Sequence, residues 1–240
     1  MTDTFAFGGQ QIAFRHNPGT GPAVVFLPGY MSDMAGGKAT AVFDWCVEAG
    51  RECLLLDYSG CGESSGEFAD GSLSQWRDEV LALVAAKVTA EKVIVVGSSL
   101  GGWLMLLVGL ALGPRLHGLV GIAAAPDFSD WGYDEVQKNL LCAGETVYED
   151  SDYGYDPMPT HAKFWADAET NRVLDSAIAL TCPVRLLHGQ EDADVPCETS
   201  LRLAQALAGE DVQVTLVKGG DHRLSRDTDI ALLLQTVSNL

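Results

Sequence analysis

Short apolar runs alternate along the chain with segments of helical periodicity. Ala23-Val-Val-Phe-Leu27, Cys53-Leu-Leu-Leu56, Val93-Ile-Val-Val96, Leu119 to Ala125, Val184-Arg-Leu-Leu187 and Val212 to Val217 are bounded by turn residues and too short for helices, so each predicts a buried strand. Helical segments are expected around Ala39 to Ala49, from Ser72 to about Val88, near Glu198 to Ala208 and near Asp227 to Val237. Ser72 and Gln75 have the spacing of a capping box, and Gln11 to Arg15 reads as part of an opening hairpin. Strand and helix in this alternation predict an α/β protein with a mostly parallel, doubly wound sheet covered by helices on both faces. In such sheets ligands bind beyond the carboxyl ends of the strands.

Two stretches depart from the rhythm. Val93 to Leu112 is an uncharged run of twenty residues, the length that crosses a bilayer. Its middle, Gly97-Ser-Ser-Leu-Gly-Gly102, separates a β-branched run from a helix-favouring one, which predicts a buried strand, a tight turn and a buried helix, with no membrane insertion. Asp127 to Asp175 shows no strand and only a broken helical pattern, yet it holds Phe128, Trp131, Tyr133, Tyr148, Tyr153, Tyr155, Phe164 and Trp165. A segment so long and aromatic inside a compact domain reads as a lid over a site. The expected organisation is one domain over 1–240 with 127–180 as the inserted lid.

Composition narrows the function. Fifteen Lys plus Arg against 33 Asp plus Glu give a net charge of −18, which repels phosphate backbones and anionic surfaces and excludes nucleic acid as an expected partner. The 127–175 segment, with twelve acids and three bases, carries −9 of that charge. If those acids line the site, they disfavour polyanionic substrates such as acyl-CoA. The six cysteines, at 46, 53, 61, 142, 182 and 197, form no CxxC pair and no zinc spacing, so they are expected to be reduced packing residues. Met1-Thr-Asp-Thr4 shows neither a secretory nor a mitochondrial import pattern, and a cytoplasmic protein is the expectation.

The pattern G-x-S-x-G occurs twice, around Ser99 and around Ser64. A nucleophile elbow needs a strand running straight into the turn, a helix leaving it, and small flanking residues that let the two approach. Gly97-Ser-Ser-Leu-Gly101 has both neighbours; Gly62-Glu-Ser-Ser-Gly66 follows a loop and reads as an ordinary mobile loop. Ser99 is therefore the expected nucleophile. A serine hydroxyl needs a base, and His222, on Lys218-Gly-Gly-Asp-His222 directly after the last predicted strand, is placed at the carboxyl edge of the sheet. His16, His117 and His161 lack that placement, and His188 at a strand end suits an orienting or packing role. The base needs a carboxylate to fix its tautomer, and Asp192 and Asp194, in His188-Gly-Gln-Glu-Asp-Ala-Asp-Val-Pro196, both meet that need. Oxyanion donors are expected from the backbone N–H of Leu100 and, in Pro28-Gly-Tyr-Met31, of Tyr30.

The order serine, acid, histidine is that of α/β-hydrolases, and the chain resembles that superfamily. There, H-G-x-x-D-x-x-V-P carries the acid at its fifth position, which here is Asp192. Leu27-Pro-Gly-Tyr-Met-Ser-Asp33, Asp57-Tyr-Ser-Gly60, Gly97 to Met105, Thr181 to Gly189 and Asp221-His-Arg223 are similar to the family of the mitochondrial acyl-glucuronide esterase that is also a palmitoyl-protein thioesterase. The resemblance implies an α/β-hydrolase fold, a triad of Ser99, Asp192 and His222, and hydrolysis of a small-molecule acyl ester or thioester through an acyl-enzyme, without metal or cofactor. Perhydrolysis, carbon–carbon hydrolysis and a non-catalytic ligand receptor are the alternatives. The oligomeric state is not legible in the sequence.

Overall fold

The computed structural model describes residues 2–149 and 157–240. The chain runs β1 (Asp3–Phe7), β2 (Gln10–Asn17), β3 (Thr20–Leu27), α1 (Gly37–Glu48), β4 (Arg51–Leu56), α2 (Leu73–Lys87), β5 (Val93–Ser98), α3 (Leu100–Leu112) and β6 (Leu116–Ile122). An insert follows: α4 (Phe128–Trp131), α5 (Glu135–Cys142), β7 (Val147–Glu149), β8 (Met158–Thr160) and α6 (Ala162–Thr170). The chain then closes with β9 (Val184–Gly189), α7 (Glu198–Ala206), β10 (Val212–Val217) and α8 (Asp227–Ser238).

Eight strands form one sheet in the order β1-β2-β4-β3-β5-β6-β9-β10, parallel from β4 to β10 with the antiparallel β1–β2 hairpin at one edge. Alternate side chains of each central strand feed opposite cores. Val25, Leu27, Leu54, Leu56, Val93 and Val95 pack with α2 and α3, whereas Val24, Phe26, Cys53, Leu55, Ile94 and Val96 pack with α1 and α8. A strand covered on both faces has no polar side, which is why these runs are continuously apolar. Every residue of α3 from Leu100 to Gly109 is buried, and that burial accounts for the uncharged run from Val93 onward. No helix among the described residues is long and apolar enough to cross a membrane.

From β3 the chain passes to β4 on one side, and β5 pairs on the other side of β3. The loops leaving β3 and β5 therefore diverge, which opens a crevice at the carboxyl edge between them. The expectation that 127–175 holds no strand is corrected: β7 and β8 pair antiparallel through Val147↔Thr160, Tyr148↔Pro159 and Glu149↔Met158. Strands of three residues are too short to display a period of two. Asp127 opens the insert with φ 58°, and its buried carboxylate accepts the Val173 and Leu174 N–H groups, both at 2.8 Å, so the two ends of the insert are tied together. The capping box at α2 forms by half. Ser72 Oγ accepts the Gln75 N–H, but the Gln75 amide donates to Ser59 Oγ and Glu79 instead of returning to Ser72.

One buried acid outside the crevice holds three elements together. Glu52 of β4 accepts from Thr89 N at 2.9 Å and Ala90 N at 2.8 Å, and its Oε1 lies 3.0 Å from His16 Nε2 of β2. Burial opposes its charge, but these donors win and hold the carboxyl below its usual range. A folded-state value below the unfolded one means stability that is present above the unfolded pKa, about 4.3, and lost as pH falls through the folded value. Glu52→Gln is expected to cost about 1–3 kcal/mol at neutral pH, with the gap to wild type closing in acid. Urea unfolding at both pH values measures this, and a gap independent of pH would contradict it.

Candidate active site

The turn between β5 and α3 is made possible by glycines. A Cβ on Gly97 would lie 2.1 Å from the Gly101 carbonyl oxygen, one on Gly101 2.1 Å from the Leu27 carbonyl oxygen, and one on Gly102 2.5 Å from the Ala124 Cβ. Without side chains there, strand, helix and neighbouring strands close to contact distance. Ser99 sits at the apex with φ 54° and ψ −117°, a conformation that costs a non-glycine residue energy. Its N–H donates to the Ile122 carbonyl at 2.9 Å, and its carbonyl accepts from Gly102 and Ala125. The other non-glycine residues of positive φ among those described are Met31, Ala123, Asp127 and Leu224, all in loops that follow β3, β6 and β10. Backbone strain is thus gathered along the carboxyl edge of the sheet.

The structure brings Ser99, His222 and Asp192 into one chain of hydrogen-bonding atoms. His222 Nε2 is 3.1 Å from Ser99 Oγ, and His222 Nδ1 is 2.9 Å from Asp192 Oδ2. The Asp192 side chain is fully buried and that of His222 is 17% exposed, so the imidazole reaches the surface while the carboxylate is shielded from water. Asp192 Oδ1 accepts the N–H groups of Asp194 at 3.0 Å and Val195 at 2.8 Å, and Oδ2 also lies 3.1 Å from His188 Nε2. Burial pushes this carboxyl up, yet the bonds from His188, His222 and the Val195 N–H, with the attraction of His222, hold it well below the usual carboxylate range. It is an anion at neutral pH, as an acceptor for His222 Nδ1–H must be. Asp194 is exposed and does not take this position. Ligand-type atoms of Asp192, Asp194 and His222 lie within 4.8 Å of one another, the one such trio among the described residues. Both Asp192 oxygens are already engaged by donors, which fits a proton relay and not a cation cage.

The two residues expected to supply oxyanion donors, Leu100 and Tyr30, lie on segments that adjoin Ser99. Leu100 is the first residue of α3, whose first-turn N–H groups have no acceptor inside the helix. The turn carrying Tyr30 lies against the elbow, with a Gly29 Cβ position 3.3 Å from the Ser98 carbonyl oxygen and 3.4 Å from Ser99 Cβ. Tyr58, whose hydroxyl donates to the Pro28 carbonyl at 3.0 Å, fixes this turn from below. The Tyr30 ring packs on Phe68, Phe128 and Phe164 at centroid distances of 5.0, 6.0 and 5.2 Å, and its hydroxyl donates to the Pro159 carbonyl of the insert at 2.8 Å.

Ser64 is nowhere in this chain of atoms. Its Oγ donates to the Asp57 carbonyl and accepts the Ala13 N–H at 2.8 Å, and Ser65 Oγ binds Gln10 and Gln11, so the second G-x-S-x-G is a strap holding its loop to β2. The expectation of a loose loop is corrected accordingly. His16 binds Glu52, His117 binds the Leu240 carbonyl and His161 binds Thr146, all away from Ser99.

The aromatic residues of the insert are largely spent on packing. Phe128 and Phe164 stack on each other and reach Trp103 and Trp76, while Trp131 and Trp165 donate their indole N–H groups to the Pro126 and Ser129 carbonyls. Tyr148 is exposed; Tyr153 and Tyr155 lie outside the described residues. Eight of the nine described acids of the segment are exposed, paired with a base or held by backbone donors. Asp134, Glu135, Glu145 and Asp175 are exposed, Asp130 and Glu169 pair with Arg172, Asp167 accepts the Ser74 N–H, and Asp127 is buried on backbone donors.

The comparisons with known proteins agree on one family. The model of the alpha/beta hydrolase family matches residues 24–232. Among curated proteins, "Palmitoyl-protein thioesterase ABHD10, mitochondrial" of Mus musculus is 40% identical over 235 residues, covering 95% of this chain and 78% of that protein. The Homo sapiens protein of the same name is 35% identical over 233 residues, covering 95% and 76%. The solved structure of alpha/beta hydrolase domain-containing protein 10 from mouse superposes with a TM-score of 0.91 at 37% identity, covering all of this chain and 97% of that one. All five mammalian relatives found at this level are named mitochondrial, which overturns the expectation of a cytoplasmic protein. Those relatives extend beyond the matched region, so the residues around Met1 say nothing about compartment.

Proposed function

The chain belongs to the alpha/beta hydrolase family and is a hydrolase of acyl esters or thioesters, and from that premise we propose that Ser99, His222 and Asp192 are its nucleophile, base and orienting acid. The observation that carries the assignment is the unbroken relay from Ser99 Oγ to His222 Nε2 at 3.1 Å and from His222 Nδ1 to Asp192 Oδ2 at 2.9 Å. His222 takes the hydroxyl proton as Ser99 Oγ attacks the acyl carbonyl. The N–H groups of Leu100 and Tyr30 hold the oxyanion, each such donor being worth about 2.7–4 kcal/mol in the transition state. His222 then protonates the departing alkoxide or thiolate, and a water deprotonated by the same imidazole releases the acid.

The substrate we propose is a long-chain acyl thioester on a protein cysteine, with neutral acyl esters as secondary substrates. The names of the relatives support this class. We assign 127–180 as the cap over the acyl chain, a reading supported by its position between β6 and β9 and by the Tyr30 hydroxyl that bonds to it. Intact-mass analysis after fluorophosphonate treatment should show one adduct on Ser99, and an S-palmitoyl peptide should be hydrolysed. Absence of both would refute the proposal.

Tyr30 separates positioning from chemistry. Its backbone supplies the oxyanion donor and its hydroxyl serves only the insert, so Tyr30→Phe is expected to raise KM by up to about tenfold, the worth of one neutral hydrogen bond, while kcat changes by less than about threefold. A large fall in kcat with KM unchanged would place the hydroxyl in the chemical step.

A further inference from the structure

His188 is the penultimate residue of β9, its ring is fully buried, and each ring nitrogen has a defined neighbour. Nε2 is 3.0 Å from the Val195 carbonyl oxygen and 3.1 Å from Asp192 Oδ2, while Nδ1 is 2.7 Å from Ser200 Oγ in α7. A carbonyl and a carboxylate only accept, so the proton between them belongs to Nε2. The buried Ser200 hydroxyl then donates to Nδ1, and the ring is locked in one tautomer from both sides.

We propose that His188 is a positioning residue of the hydrolytic site: it shares its Nε2–H with Asp192 Oδ2, fixing the plane of that carboxylate and limiting how strongly it draws on His222. The proposal rests on the assignment of Ser99, His222 and Asp192 made above and adds a fourth member to that relay. Oδ2 takes the His222 N–H at 2.9 Å and has His188 Nε2 beside it at 3.1 Å, a nitrogen that also bonds to the Val195 carbonyl, while Oδ1 is committed to backbone. A second donor spreads the negative charge of the acceptor and weakens its hold on the imidazolium that forms when His222 accepts the Ser99 proton. Without that donor, Asp192 binds the imidazolium more tightly, and the free base is regenerated only at higher pH.

Among the described residues, the charged groups around His222 are few. Asp192 and Asp194 face it from the turn after β9, and Ser99 on the other side is neutral. Asp221 and Arg223 flank it in its own loop, Asp221 Oδ1 accepting the Leu224 N–H and the Arg223 carbonyl accepting from Lys38 of α1. Of these groups, Asp192 is the one in contact with His188 among the described residues, so replacement of His188 acts on His222 through Asp192.

The test is the pH dependence of fluorophosphonate labelling of Ser99 in wild type, His188→Leu and His188→Gln. His188→Leu should move the acid limb upward by about half a unit to one unit, as loss of one hydrogen bond to the charged form of a neighbour would. His188→Gln, whose amide N–H reaches the place of Nε2–H, should restore the wild-type limb. A residue with a packing role alone would lower the plateau of both variants and leave the limb in place, and that result would overturn the proposal. A measurement on the wild type stands whether or not His188→Leu folds: two-bond ¹H–¹⁵N spectra should show His188 protonated at Nε2 and bare at Nδ1, and a protonated Nδ1 would overturn it. Failure of the wild type to label at Ser99 is a distinct result, which would remove the underlying assignment and this proposal with it.

Discussion

Ser99→Ala is expected to lower kcat/KM for esters and thioesters by about 10³ to 10⁶, whereas Ser64→Ala leaves it within a few-fold of wild type. Alanine keeps the turn but removes the atom proposed to bond to the acyl carbon, so only binding and the proposed oxyanion donors at Tyr30 and Leu100 remain to favour hydrolysis. The wide range reflects how much those two donors retain without the nucleophile. Ser64→Ala has a different signature. It leaves the Ala13 N–H without its acceptor, which is expected to cost about 1–3 kcal/mol of stability. Parallel measurement of kcat/KM and thermal unfolding separates the two serines: Ser99→Ala should be inactive and stable, Ser64→Ala active and less stable. The opposite pairing would refute the elbow assignment.

The two matches to G-x-S-x-G show where sequence suffices. Around Ser99 the glycines answer to close backbone approaches that any elbow must make, so context and motif agree. Around Ser64 the same letters serve a strap, and only the preceding loop distinguishes them. The central strands were equally legible, because burial on both faces leaves continuous apolar runs in β3, β4, β5 and β6. Parts of the insert were not. β7 and β8 span three residues each and have no period to read. α5 did carry a signal, since Asp134 and Gln137 form a reciprocal capping box of the kind that Ser72 and Gln75 fail to complete.

The acid of the relay marks a second boundary of what sequence can decide. Asp192 and Asp194 stand two residues apart in one loop, and spacing alone favours neither. The fold decides, because the backbone curls so that Asp192 accepts the N–H groups of Asp194 and Val195 and turns its other oxygen inward to two histidines. His188 could not be assigned its place from the sequence for the same reason: its partners Ser200 and Val195 are brought to it by α7 and the turn before it. Tyr30 illustrates the converse. The backbone role proposed for it rests on its position after β3, but the bond from its hydroxyl to Pro159 spans 129 residues of chain and has no sequence signature.

Asp192→Asn is the second substitution with a large expected effect, a fall in kcat of about 10⁴. The amide is nearly isosteric, so packing and the bonds from Asp194 and Val195 can survive. What changes is the proton inventory at His222. Where Asp192 Oδ2 now accepts, an asparagine with its NH₂ toward the rings offers two donors, which turns His222 Nδ1 into an acceptor and moves the ring proton to Nε2. That nitrogen then faces Ser99 Oγ as a donor and cannot remove its proton. The reverse amide orientation places the carbonyl oxygen toward both histidines and preserves the tautomer, but it sets the NH₂ against the Asp194 and Val195 N–H groups, leaving two donors without their acceptor. Either orientation loses the charge that stabilises the imidazolium in the transition state. The measurement is single-turnover acylation with unfolding monitored alongside: a loss near 10⁴ at native stability is the expected result. Activity within tenfold of wild type would show that Asp192 is not the acid on which His222 depends.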